Sequence, residues 1–176
     1  MHNRPSIGKS YSDGEKLSLI YVDDNHFMLD VMKHFLERDQ TVDVQTFLSP
    51  KKAISYLKTH NMDLILSDYE MPVMNGAEFL LHLRSQGINI PFILYTSNNH
   101  EELSADIFNQ DSVHYISKCG PIEQHIARLK DIIQKYDKIT KSDSYGNSST
   151  NTDRELITLR TYESGRRGPS LPDDMA

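Results

Sequence analysis

The sequence predicts an α/β protein with a five-stranded parallel sheet flanked by five helices. Three observations lead there. Short, nearly continuous apolar runs recur along the first two thirds of the chain, as in strands buried on both faces. Segments with helical apolar spacing separate them, and this alternation builds parallel sheets. Four of the runs end on polar residues: LSLIYV on Asp23-Asp24, DLILS on Asp68, PFILY on Thr96-Ser97 and VHYIS on Lys118. Strands that end at one edge of a parallel sheet deliver such side chains to one cleft. Right-handed crossovers restrict the topology, and strand order 2-1-3-4-5 is the common solution at this size.

The elements follow in order. Strands are predicted at Leu17–Val22, Val42–Phe47, Asp63–Ser67, Pro91–Tyr95 and Val113–Ile116. The second alternates more than the others and is expected at an edge. Met28, Val31, Met32 and Phe35 make an i, i+3, i+4, i+7 stripe for the first helix. Ser49-Pro50 reads as an N-cap and N1 proline, opening a helix with Ala53, Ile54 and Leu57 inward. Gly76 opens a third, with Phe79, Leu80 and Leu83 inward. Leu103 and Ile107 mark a weaker fourth. Ile122, Ile126, Leu129 and Ile133 mark a strong fifth.

The 176 residues allow one domain with a proper core. Residues 1–16 read as a flexible leader and 17–136 as the folded domain. Residues 137–176 are rich in Ser, Asn, Thr, Gly and Pro, and read as a disordered tail with too little apolar surface for a domain. No winged-helix or helix-turn-helix output unit is expected there. Net charge is −6, and no clustered basic face suggests nucleic-acid binding. The single cysteine, Cys119, excludes an intramolecular disulfide. No apolar stretch approaches the roughly 20 residues of a membrane span. The MHNRPSIGKS start has no apolar signal core. A soluble cytoplasmic protein is expected. The eight histidines, at 2, 26, 34, 60, 82, 100, 114 and 125, show no metal-ligand spacing and are expected at the surface.

The chemistry lies at the strand ends. Asp23 and Asp24 repel each other, and a third carboxylate at Asp68 adds to that. A divalent cation relieves the repulsion, and Mg²⁺ needs only a few protein oxygens. An adjacent aspartate pair alone is better explained as a helix cap. Thr96 alone could be an ordinary strand-end hydroxyl, Lys118 a solvated lysine and Tyr115 a plain core or surface aromatic. The segment Asp68-Tyr69-Glu70-Met71-Pro72-Val73-Met74-Asn75-Gly76 is far more specific.

With that segment, the acidic pair, Thr96 and Tyr115-Ile116-Ser117-Lys118, in this order and at these separations, residues 17–136 resemble the receiver domains of two-component response regulators. The resemblance implies a flavodoxin-like receiver fold with Asp68 as phosphoacceptor. It implies Mg²⁺ held by Asp24 directly, Asp23 directly or through water, Asp68, and the backbone carbonyl of Glu70. Thr96 would be the switch hydroxyl, Lys118 the ammonium pairing with the phosphoryl group, and Tyr115 the switch aromatic. A sensor histidine kinase would be the phosphodonor and a protein the downstream target. The face of the predicted fourth helix, fifth strand and fifth helix would carry the switch and could form a homodimer. Without an effector domain, the expected function is that of a stand-alone regulator. It would be no enzyme beyond self-catalysed phosphoryl transfer and autodephosphorylation.

One position departs from the family. Lys118 is usually followed by a cis-proline, and here Cys119-Gly120-Pro121 follows. Receivers of methanogenic archaea resemble this chain in lacking that proline. A cis bond before a non-proline costs about 2.5–4 kcal/mol, so either the bond is trans in a reshaped loop or the site tolerates that cost. Gly120 gives freedom to re-aim the loop. Cys119 beside a lysine reads as a small residue in a tight loop. Two rival functions fit the pattern less well. An aspartyl-phosphate phosphatase would place a second Asp two residues after the nucleophile, where this chain has Glu70. An unphosphorylated binding module would not need Asp23, Asp24, Asp68, Thr96 and Lys118 together.

Overall fold

The computed structural model describes residues 15–97 and 112–144. Five strands, β1 (Leu17–Val22), β2 (Val42–Phe47), β3 (Leu64–Asp68), β4 (Phe92–Thr96) and β5 (Val113–Ser117), form one sheet. All neighbours are parallel, in order β2-β1-β3-β4-β5. Helices α1 (His26–Glu37), α2 (Pro50–Leu57) and α3 (Gly76–Ser85) and a C-terminal helix (Ile122–Ser144) flank it. The helix expected around Leu103 and Ile107 lies outside the described residues. The boundary expected at residue 136 falls inside the C-terminal helix, which runs on to Ser144.

Side-chain alternation along the strands divides the core in two. Leu19, Tyr21, Leu66, Tyr95 and Ile116 pack on one side against α1 and the C-terminal helix. Ile20, Val22, Ile65, Leu94 and Val113 pack on the other against α2 and α3. The central strands β3 and β4 are buried along their whole length, whereas β2 alternates and lies at an edge.

Three local expectations shift. β3 and β4 each run one residue further than predicted, so their last residues are Asp68 and Thr96. In α1 the buried row is Leu29, Met32 and Leu36, with Met28 and Phe35 packed at its side. That helix carries two adjoining apolar rows, and contact with the sheet selects between them. The expectation of surface histidines fails at His114 and His125, which are 1% and 4% exposed. Each finds partners inside: His114 Nε2 pairs with the Tyr136 hydroxyl at 2.7 Å, and His125 bonds at both ring nitrogens. Burial, assisted by the charge of Lys135, pushes the His114 pKa down to about 4.

Candidate functional site

Asp23 directly follows β1, Asp68 ends β3, Thr96 ends β4, and Lys118 directly follows β5. The sheet is parallel, so all four lie at its C-terminal edge. Alternation then sorts them. Tyr21, Tyr95 and Ile116 share one face, and Asp23 and Lys118 stand two residues beyond the first and last of these. Asp68 stands in register with Tyr95. These side chains therefore converge. Carboxylate oxygens of Asp23, Asp24 and Asp68 lie within 4.8 Å of one another. Lys118 Nζ donates to Asp68 Oδ1 at 2.7 Å and sits 3.9 Å from Asp23 Oδ2. Asp23 and Asp68 are buried, while Asp24 faces solvent. Thr96 is buried too, and its carbonyl accepts from the Lys118 backbone N–H at 2.7 Å. Register pairs Leu94 with Tyr115 and Thr96 with Ser117, so Thr96 and Tyr115 project to the same face of the sheet, that of α2 and α3.

Burial raises the pKa of Asp68, and the Asp23 charge adds to the rise. The hydrogen bond and charge of Lys118, and the backbone N–H of Glu70, pull it back. Glu70 thus touches the site through its backbone. The sequence reading missed three supporting residues. Tyr21 donates to Asp23 Oδ2 at 2.6 Å, and its own ionisation is strongly suppressed by burial and then by Asp23. The Tyr95 ring lies 4.7 Å from Lys118 Nζ. His125 bonds the Tyr95 hydroxyl. A phenol inside a predicted buried strand was the available signal for Tyr21 and Tyr95, because a buried tyrosine hydroxyl needs a partner.

The loop after Asp68 explains Asn75-Gly76. Asn75 caps α3 and forms a capping box with Glu78. Gly76 N–H donates to the Tyr69 carbonyl at 2.9 Å. A Cβ at Gly76 would stand 2.3 Å from the Asp68 carbonyl oxygen, so only glycine allows this helix start to pack against β3. Beyond β5, none of the described peptide bonds is cis, so Lys118–Cys119 is trans, and Gly120 takes φ +102° to turn the loop.

Three carboxylates backed by one ammonium form a hard oxygen site. Its donors fit Mg²⁺, and exposed Asp24 leaves a side open to the waters that this ion keeps.

The chain belongs to the response regulator receiver domain family, whose model matches residues 19–130, well over half of the chain. It is therefore a receiver of two-component phosphorelay signalling. It is 36% identical over 89 residues to the two-component response regulator ARR21 of Arabidopsis thaliana, covering 49% of this chain and 14% of that protein. It is 31% identical over 122 residues to a protein-glutamate methylesterase/protein-glutamine glutaminase of Halalkalibacterium halodurans, covering 67% of this chain and 35% of the relative. The chain thus spans only a minor part of those two relatives. Among solved structures, the receiver domain of the Francisella response regulator 1452 superposes with a TM-score of 0.59 at 25% identity, over 68% of this chain and 98% of that one.

Proposed function

We propose that Asp68 accepts a phosphoryl group from the phosphohistidine of a sensor kinase, in the cytoplasm, and that the modified domain signals to a protein partner. The observation that carries this reading is the buried Asp68 carboxylate, held 2.7 Å from the Lys118 ammonium beside two further carboxylates. A carboxylate oxygen of Asp68 attacks phosphorus. The O–P bond forms as the N–P bond breaks, and the electron pair stays on the imidazole nitrogen. Asp23, Asp24 and Asp68, with the Glu70 backbone, would hold Mg²⁺, which supplies charge neutralisation when bound. The remaining work is positioning. Lys118 offsets the added charge, roughly −1.5 to −2. The Thr96 hydroxyl turns toward a phosphoryl oxygen, and the space it leaves on the α2/α3 face lets Tyr115 move. The surface around β5 and the C-terminal helix then changes its population of states, for a target protein or a second copy of the chain.

The methylesterase relatives do not extend this reading, because the similarity is confined to a minor part of their length. The test is radiolabelled phosphotransfer from a small phosphodonor with Mg²⁺. Asp68→Asn should take no acid-stable, base-labile label, and equal labelling of that variant would refute the assignment. Thr96→Ala should still be labelled but lose the beryllofluoride-induced amide shifts at residues 112–120. Wild-type shifts in Thr96→Ala would break the proposed coupling.

A further inference from the structure

Lys118 has to reach Asp68 from a loop whose next three residues, Cys119, Gly120 and Pro121, are all exposed. Gly120 at φ +102° adds conformational freedom there. Something must hold that loop still. Its amides are tied early, Lys118 N–H to the Thr96 carbonyl at 2.7 Å and Cys119 N–H to Ser117 Oγ at 3.1 Å. The Cys119 carbonyl is held by the side chain of His125, whose Nε2 lies 2.9 Å from it, while the Pro121 carbonyl accepts from Gln124 N–H at 3.0 Å and Cys119 Sγ reaches the Ser97 carbonyl at 3.8 Å.

A carbonyl only accepts, so Nε2 carries the proton. In the neutral ring Nδ1 then has a lone pair, and it accepts the Tyr95 hydroxyl at 3.0 Å. Tyr95 and His125 are 1% and 4% exposed, and their rings meet edge-on with centroids 6.0 Å apart. Tyr95 stands in register with Asp68, and its ring lies under the Lys118 ammonium, 4.7 Å from Nζ. The contacts close a ring: Lys118, Cys119, His125, Tyr95 and back to Lys118.

We propose that His125 and Tyr95 are positioning residues that brace the Lys118 loop and aim its ammonium at the phosphoryl site. The proposal rests on the reading that Asp68 is the phosphoacceptor. Each brace residue does one thing the loop lacks. His125 fixes where the backbone leaves β5, and Tyr95 fixes the height of the ammonium above the sheet. Burial, with the nearby Asp23 and Asp68 charges, pushes the Tyr95 pKa up to about 12, so the phenol stays a donor to His125.

The test uses the full chain. Tyr95→Phe removes the hydroxyl and leaves the ring under the ammonium. His125→Leu removes both bonds. Phosphorylation by phosphoramidate at saturating Mg²⁺ should slow several-fold in Tyr95→Phe and by about tenfold in His125→Leu, the scale of a small misplacement of a catalytic group. The double variant should be no slower than His125→Leu, because both bonds belong to one brace. Mg²⁺ affinity by calorimetry should not move, since the carboxylates are untouched. The nitrogen-15 spectrum should show the Nε2–H tautomer of His125 in wild type, and the Lys118 ammonium resonance should broaden or vanish in both variants. Wild-type rates with an unmoved ammonium resonance in folded Tyr95→Phe would overturn the proposal, as would strictly additive losses. If His125→Leu does not fold, Tyr95→Phe decides alone. If the wild type takes no label at Asp68, the phosphoacceptor reading fails, and the ammonium resonance still decides the brace.

Discussion

Gly76→Ala separates two reasons for which a fold needs glycine. A Cβ built on Gly76 would meet the Asp68 carbonyl oxygen at 2.3 Å and Leu94 Cδ2 at 2.8 Å, whereas ordinary contact begins near 3.4 Å. Strand or helix must yield by about 1 Å. Neither does so cheaply. β3 is buried throughout, Tyr69 N–H is tied to the Tyr95 carbonyl at 3.0 Å, and Gly76 N–H to the Tyr69 carbonyl at 2.9 Å. Overpacking of this kind costs about 1–3 kcal/mol or more. Alanine's better helix propensity returns at most about 1 kcal/mol. The net loss should be near 2 kcal/mol, which lowers Tm by roughly 5–15 °C for a domain of this size. Gly87 is the control. Nothing lies within 4 Å of its Cβ position, but its φ is +74°. Alanine there should cost about 1–2 kcal/mol through backbone strain alone, and asparagine, which tolerates that region, should recover much of it. Asparagine at 76 should recover nothing, because the obstacle is backbone and not conformation. Urea unfolding of the four variants, with a Mg²⁺ titration of each, measures this. Gly76→Ala should also bind Mg²⁺ more weakly, since the residue displaced is Asp68. Wild-type stability in Gly76→Ala, or rescue by asparagine at 76, would refute the steric account.

Three further outcomes are expected. Val73 holds φ +72° with its side chain fully exposed, so Val73→Gly relieves strain without losing packing and should stabilise by about 0.5–1 kcal/mol in urea melts; a destabilised variant would mean that Val73 has a contact of its own. The His114 pKa falls from 6.5 to about 4 on folding, so below pH 6.5 the unfolded chain binds the proton first. Stability from this group is complete above pH 6.5 and drains away as pH falls through 4, by about 3 kcal/mol in all. Stability measured from pH 7 to 4 should therefore fall less steeply in His114→Phe, and a His114 ring resonance that titrates near pH 6.5 would contradict the buried neutral state. Finally, Mg²⁺ at a hundredfold excess over Kd should stabilise the wild type by about 2.7 kcal/mol. Asp24→Ala should fold and show no such gain, and an unchanged Mg²⁺ response would remove Asp24 from the site.

Much of this protein was legible in one dimension. Short continuous apolar runs alternating with helical spacing read as strands buried on both sides, and their polar terminal residues had to share one sheet edge once the strands were parallel. That argument put Asp23, Asp24, Asp68, Thr96 and Lys118 at one sheet edge, and Gly76 marked where α3 begins. Pattern also selected one of the two edge strands, because β2 alternates where its neighbour β1 does not. What pattern could not give was pairing across the sheet. Tyr21 and Tyr95 look like core aromatics in sequence, and only register sets Tyr95 beside Asp68 and the Tyr21 hydroxyl on Asp23. His114 and His125 look like surface residues, because polarity argues for exposure unless a partner is known, and those partners lie 22 and 30 residues away in the chain. The loop after Lys118 was undecidable for the same reason. Local sequence sets which backbone conformations are allowed, but the contact that selects one, His125 on the Cys119 carbonyl, exists only once the C-terminal helix has packed against the sheet.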